Sequence, residues 1–331
     1  MIITRTPFRI SFFGGGTDYP TWFHDHGGSV LATTINKYCY ITCRKLPPFF
    51  EHKHRIVYSN IENVHSNDEI VHPSVRSTFN WAKVTDGIEM HHDGDLPARS
   101  GLGSSSAFTV GLVNALYAMK GMMITPETLA KNALHIEQNL IGENVGSQDQ
   151  ISAAYGGFNR IDFHRDGGFN VVRLIAPTQR ITELKSHLML CFTGFSRIAD
   201  VIAKSKIDNF KNRESELNFM HQMVRQAIDI LTNSSIPIQE FGKLLDQSWQ
   251  YKRSLSSMVS TPDIDQIYSS AMTAGAVGGK ILGAGGGGFM LLFAKPENHA
   301  AIRKRLENLV HVDFDFDNTG SKVVLYQPNG L

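Results

Sequence analysis

Leu96-Pro97-Ala98-Arg99-Ser100-Gly101-Leu102-Gly103-Ser104-Ser105-Ser106-Ala107-Phe108 opens on a proline, tightens into a glycine–serine turn and runs into apolar residues at helical spacing, Phe108, Leu112, Ala115, Leu116 and Met119. Such a string predicts a tight loop feeding the first turn of a helix at about 104–120. Glycines let backbone approach a ligand closely. A helix N-terminus offers N–H groups and a partial positive charge to an anion. Serine hydroxyls can meet phosphate oxygens or a metal ion. An ordinary serine-capped helix would read the same way, so the rest of the chain decides between them.

At 331 residues, with 42% hydrophobic and 19% charged side chains, the chain has material for two globular cores. Its net charge of +1 gives no global field for nucleic acid or an acidic membrane surface, so any anion must be held by local groups. No stretch reaches transmembrane length, and the opening MIITRTPFRISFF lacks the pattern of a secretory leader. Cys39, Cys43 and Cys191 are an odd count without a CxxC pair, which argues against a disulfide framework or a zinc site. The expectation is a cytoplasmic protein that binds small molecules, with no nucleic-acid or membrane partner and an open oligomeric state.

Residues 2–13 read as a strand broken by Pro7 and ended by Gly14–Gly16. Strand-rich segments follow to about residue 60, then a helix over 73–85. Beyond the central loop come a helix from Thr125 to Ile141 with Pro126 in its first turn, a short helix after Gly146-Ser147-Gln148-Asp149-Gln150, and a hairpin over 158–175. Pro177 marks the expected division, 1–177 and 178–331. The second part reads as an antiparallel sheet with helices on one face. Its expected elements are a strand at HLMLCFTGF, helices near 197–233, 237–256 and 262–277, and a glycine loop that follows a helix and opens strand 289–293. A closing hairpin turns at Asp317–Gly320.

Three glycine loops stand out: Gly14–Gly16, Gly101–Gly103 and Gly283–Gly288. The third satisfies the dinucleotide spacing Gly283-x-Gly285-x-x-Gly288, but it opens a strand rather than a helix, against a nicotinamide or flavin site. No GxxxxGK string exists, nor the protein-kinase loops, so a nucleotide would need another cradle.

Taken in order, Pro7-Phe8-Arg9 with Gly14-Gly15-Gly16-Thr17-Asp18-Tyr19, Pro97 to Ala107, and Lys280 to Phe289 resemble the three motifs of the GHMP kinases. That family is named for galactokinase, homoserine kinase, mevalonate kinase and phosphomevalonate kinase. The likeness spans essentially the whole chain. The GGGTDY string, Trp249-x-x-Lys252-Arg253 and the Lys280–Gly288 loop most resemble the sugar 1-kinases, in particular the branch acting on D-glycero-D-manno-heptose 7-phosphate. The resemblance implies a two-domain α+β fold, a ribosomal-protein-like N-terminal α/β domain and a ferredoxin-like C-terminal α+β sandwich, with the active site in the cleft between them.

It further implies an ATP- and Mg²⁺-dependent kinase. Pro97, Gly101, Leu102, Gly103, Ser104, Ser105 and Ser106 would cradle ATP, with Ser105 and Glu137 on Mg²⁺. Asp149 would take or orient the proton of the attacking sugar hydroxyl, with Arg9 holding that carboxylate and stabilising the transferred phosphoryl group. Read in isolation, Glu137 is a solvated helix residue and Asp149 a helix N-cap. Gly14, Gly15, Gly16, Thr17 and Asp18 would meet the sugar. Lys252, Arg253, Lys280, Gly283, Gly285 and Gly286 would meet its far end, with Arg99 and Arg197 as weaker cationic candidates. Galactokinase-like members carry Glu and His where this chain has Gly15 and Gly16. Losing that carboxylate makes room for a longer, anionic sugar, so a phosphorylated sugar is expected rather than galactose. Fucose or galactose 1-kinase activity, or a non-catalytic binding role on the same scaffold, remain the alternatives.

Overall fold

The computed structural model describes residues 1–98, 100–194 and 199–328; Arg99 and Arg197 lie outside them. The chain runs β1 (Ile2–Phe13), α1 (Pro20–His26), β2 (Gly28–Lys45), β3 (His54–Val57), β4 (Ile61–Val64), α2 (Pro73–Trp81) and β5 (Ile88–Gly94). Next come α3 (Ser104–Met119), α4 (Pro126–Leu134), a π-helical turn (His135–Ile141), α5 (Gln148–Tyr155), β6 (Phe158–Phe163) and β7 (Phe169–Arg173). After α6 (Thr178–Ser186) come β8 (Leu188–Phe192), α7 (Ala199–Asn209), α8 (Glu214–Thr232), α9 (Gln239–Ser254) and α10 (Pro262–Thr273). The chain ends with β9 (Ala276–Ile281), β10 (Phe289–Ala294), α11 (His299–Arg305), β11 (Val310–Val312), β12 (Phe316–Asp317) and β13 (Lys322–Tyr326).

Length makes β2 the spine of the first sheet. One edge pairs antiparallel with β1, while the other is shared in turn by β6 at Gly28–Thr33, β12 at Thr34–Ile35 and β5 at Cys39–Lys45. Pro7 does not break β1 as expected. The strand continues through a register shift between Pro7 and Arg9, where a residue without an N–H is tolerated. α3 lies against β1 and β2, buried on nearly every side, as its almost uniformly apolar sequence requires. Thr125 caps α4, accepting the Thr128 N–H at 3.2 Å. The helix expected to Ile141 changes pitch at His135, and the π turn carries Glu137 into the interior.

The second sheet, in order β11-β8-β10-β9, is antiparallel, with α9 and α10 against β9. Two sequence expectations fail here. The Gly283–Gly288 loop joins β9 to β10 as a strand–strand turn and does not follow a helix. The closing hairpin over 310–326 does not form: β11 pairs with β8, β12 with β2 and β13 with β1. The reason is aromatic packing. Phe316 reaches Phe158 (ring centroids 5.7 Å) and Phe12 (6.4 Å), which draws the chain's last strands back to the first sheet across the division expected at 177. Phe241 of α9 in turn packs edge-on to Phe12 and Phe13 at 5.4 and 5.1 Å, so one aromatic cluster joins both halves.

Gly156 sits where the returning segment crosses α5, with φ +65 and the position of a Cβ only 2.0 Å from the Thr319 backbone. Gly156→Ala is therefore expected to destabilise the fold by about 2 kcal/mol or more, read as a fall in melting temperature. An unchanged melting temperature would show that the 317–321 return is not packed against α5.

Candidate active site

Three consecutive residues in the first turn of α5 each bond a different element of the fold. Gln148 donates from Nε2 to Asp18 Oδ2 at 2.9 Å. Asp149 accepts two bonds from Arg9, from Nε at 2.7 Å and Nη2 at 2.8 Å. Gln150 donates to Glu137 Oε2. The turn thus gathers β1, the Gly14–Asp18 turn and the π segment around one point.

Arg9, 3% exposed, is fully engaged. Its third nitrogen, Nη1, donates to Gly101 O at 2.6 Å, and its backbone N–H to Leu102 O at 3.0 Å. A bidentate guanidinium–carboxylate pair of this kind fixes both partners in orientation. The central loop is thereby tied to β1 at two points.

The third glycine loop lies backbone to backbone on the central one. A Cβ on Gly283 would fall 2.5 Å from Gly101 Cα, and the Phe289 N–H donates to Ser100 O at 3.0 Å. Lys252, in the last turn of α9, fastens the same loop by donating to Ile281 O and Gly283 O, both at 2.7 Å. Gly285 and Gly286 face Val259 instead of the cleft, and Gly286 donates its N–H to Val259 O. Gly14 and Thr17 likewise build their turn, Thr17 Oγ1 donating to Gly14 O and Ser29 O. None of these four residues is among those lining the cleft. Nor is Arg253 in the cleft: its guanidinium pairs with Asp265 at 2.9 Å.

What lines the cleft from the expected set is Arg9, Gly15, Gly16, Asp18, Asp149, Lys252, Lys280 and Gly283. Asp18 is 1% exposed; Oδ1 accepts the Gly16 N–H at 2.8 Å, and burial pushes its carboxyl above the usual range. Gly146 must be glycine, since a Cβ would lie 2.0 Å from Asp18 Oδ2. Gly15 is open: a Cβ there meets only Gln148 Nε2 and Ser11 Oγ, each at 3.8 Å. Lys280 donates to Phe12 O at 2.8 Å and is lowered to about 7 by burial and by neighbouring Arg9 and Lys206.

Lys206 was not expected. It lines the cleft from α7, on the apolar stripe of Ile202 and Ala203 that Phe210 continues in the 3-10 turn just past the helix. A lysine at i+4 from one buried apolar residue and i−4 from another is the sequence signal that could have found it.

Glu137 is wholly buried. Oε2 accepts from Ser106 Oγ at 2.9 Å, Oε1 is shielded from solvent with no hydrogen-bond partner at normal distance among the described residues, and burial raises the carboxyl to about 7 against the nearby Thr109, Gln150 and Ser106 side chains. An orphaned carboxylate oxygen beside a helix N-terminus suits a divalent cation. Of the three serines it is Ser106 whose hydroxyl meets Glu137; Ser105 is exposed. α3 has no side-chain cap at Gly103, and Leu102 contributes backbone only, its side chain being fully buried. Pro97 is exposed at the start of the loop.

With that geometry in place, comparison with known proteins identifies the class. Residues 70–157 match the GHMP kinases N terminal domain and residues 234–310 the GHMP kinases C terminal domain. A D-glycero-alpha-D-manno-heptose 7-phosphate kinase of Campylobacter jejuni is 31% identical, over 97% of this chain and 98% of that protein. A bifunctional fucokinase/GDP-fucose pyrophosphorylase of Arabidopsis thaliana is 26% identical over 93% of this chain and 31% of its own length. The crystal structure of a D-glycero-D-manno-heptose 1-phosphate kinase from Bacteroides thetaiotaomicron superposes with a TM-score of 0.79, at 21% identity, over 97% of this chain and 98% of that one. The chain belongs to the GHMP kinase family and has its two-domain fold. It is a sugar kinase of that family, for which ATP is the phosphoryl donor. Among the described residues no helix is long and apolar enough to cross a membrane.

Asp149→Asn keeps the shape of the site but leaves buried Arg9 without an anion. Stability is expected to fall by about 3 kcal/mol, and turnover by at least about a hundredfold. A kcat within twofold of wild type would remove Asp149 from the reaction.

Proposed function

We propose that this chain transfers the γ-phosphoryl group of ATP to the anomeric C1 hydroxyl of D-glycero-D-manno-heptose 7-phosphate, giving the 1,7-bisphosphate. One observation carries the reading: beside Asp149 the cleft gathers four basic side chains, Arg9, Lys206, Lys252 and Lys280, against two carboxyl groups, Asp18 and Asp149. A cleft of that balance suits a sugar that brings its own negative charge. The heptose 7-phosphate kinase at 31% identity supports the same substrate.

In this reading the backbone of Gly101–Ser106 and the N-terminus of α3 receive the phosphates of ATP. Mg²⁺ would be held by Glu137, through its orphaned Oε1, and by the serines that open α3. When bound, the ion would neutralise charge on the nucleotide phosphates. Asp149 accepts or orients the proton of the C1 hydroxyl, and Arg9 keeps that carboxylate aimed while adding positive charge near the transferred group. Asp18, held by Gly16 and Gln148, orients a sugar hydroxyl. Gly15, with no side chain and open space above it, leaves room for the longer sugar.

An ATP-consumption screen across heptose 7-phosphate, other sugar phosphates, free heptose, fucose, galactose and mevalonate tests the assignment. Heptose 7-phosphate is expected to give the highest kcat/KM. Preference for fucose or galactose would replace the assignment with another sugar 1-kinase, and no turnover of any sugar would point to a binding role.

The cations also set a pH dependence. Lys280, at about 7, and Lys206, lowered by burial to about 8 against the pull of Asp18 and Asp149, are charged below those values and neutral above them. Arg9, Asp18 and Asp149 also face them, with Lys252, whose ammonium burial and the neighbouring cations lower well below the usual lysine range. The KM for heptose 7-phosphate is therefore expected to rise several-fold from about pH 6.5 to about pH 8.5, more than the KM for free heptose. Parallel profiles for the two sugars would contradict this electrostatic account.

A further inference from the structure

Among the described residues, Arg9, Lys252 and Lys280 each donate hydrogen bonds to acceptors within the protein. Arg9 uses its guanidinium on Asp149 and Gly101. Lys252 donates to two carbonyls and Lys280 to one. Lys206 differs. It is 4% exposed and lines the cleft, yet its ammonium makes no hydrogen bond among the described residues. Its neighbours are the ring of Tyr19, with Nζ 5.3 Å from the centroid, and the fields of Asp18 and Asp149. Both carboxylates are already bonded elsewhere: Asp18 to the Gly16 N–H and Gln148, Asp149 through both oxygens to Arg9.

Lys206 thus faces the cleft with an ammonium that no acceptor among the described residues claims, on a wall whose burial strengthens its attraction for an entering anion. A dianionic phosphate would accept charge-assisted bonds there; a neutral hydroxyl would return much less. We propose that Lys206 binds the phosphate carried by the sugar substrate and so makes the cleft select phosphorylated sugars over neutral ones. The assignment rests on the sugar-phosphate reading above. It also divides the labour among the lysines: Lys252 and Lys280 shape the third glycine loop and β1, and Lys206 meets the ligand. Burial lowers the Lys206 ammonium to about 8, so it remains mostly charged at neutral pH and ready for an anion.

Lys206→Met keeps the length of the apolar stem and removes the charge. The ratio of kcat/KM for heptose 7-phosphate to that for free heptose is expected to fall at least about tenfold, and Lys206→Arg to restore part of it. Inorganic phosphate should compete with free heptose in the wild type and lose that competition in Lys206→Met. Melting of the ligand-free variant at or above the wild-type temperature would show that it is folded, since an unmatched buried charge has been taken out. An unchanged ratio overturns the proposal, as does an equal loss on both sugars, which would assign Lys206 to the transferred phosphoryl group. If the wild type prefers neutral sugars, the substrate reading fails. The anion site then stands only if phosphate competition is present in the wild type and lost in Lys206→Met, and falls otherwise.

Discussion

The bidentate pair between Arg9 and Asp149 is the constraint around which the cleft is arranged. Arg9 comes from a central strand, Asp149 from the first turn of a short helix, and the remaining guanidinium nitrogen holds the carbonyl of Gly101. Three elements far apart in sequence are thereby placed within hydrogen-bond tolerance of one another. A buried pair of this kind adds little net stability over apolar packing, but breaking it is expensive. Its value is orientation. The carboxylate cannot turn away, and the loop that precedes α3 cannot drift from it.

The neighbouring residues of α5 extend the same logic. Gln148 and Gln150 are neutral amides, so each can restrain a carboxylate, Asp18 or Glu137, without adding charge. Asp18 and Glu137 are both buried and both shifted upward by that burial, while their bonds to amides and hydroxyls oppose the shift. One helical turn therefore sets three carboxyl groups in distinct surroundings: one paired with a cation, one bonded to a backbone amide, one left with an empty oxygen. Different environments for like groups are what separates chemical roles in a site.

The three glycine loops were legible in the sequence because close backbone contact leaves glycine as the only residue that fits. Where Gly283 meets Gly101 there is no room for a Cβ, and composition reports that directly. Asp149 and Glu137 were legible for a different reason, their place in a known motif order. Other features depend on which way a helix or strand faces after packing, and local residue types carry little of that. Ser105 and Ser106 are chemically alike, and only the face of α3 turned to the π segment favours Ser106 as the partner of Glu137. Lys252 and Arg253 are adjacent cations in one helix turn, yet one faces the loop and the other faces Asp265. The last strands looked like a hairpin by spacing; Phe316 instead finds a better burial against Phe12 and Phe158 in the first sheet.

The distribution of charge in the cleft follows from this division of tasks. A residue that holds the scaffold spends hydrogen bonds inside the protein, as Lys252 does on two carbonyls and Lys280 on one. A residue that holds a ligand must keep bonding capacity unused in the empty state, and that is destabilising when the group is buried. The fold tolerates Lys206 because the two carboxylates nearby supply an opposing field without accepting its protons, and because Tyr19 lies beneath it. Asp18 and Asp149 take the hydrogen bonds of Gly16, Gln148 and Arg9, and none from Lys206 among the described residues. In the proposed reading, the hydrogen bonds that fix Asp149 and Asp18 therefore lie beside the ammonium that meets the substrate's phosphate, so phosphoryl transfer and the selection of an anionic sugar would draw on one cleft wall.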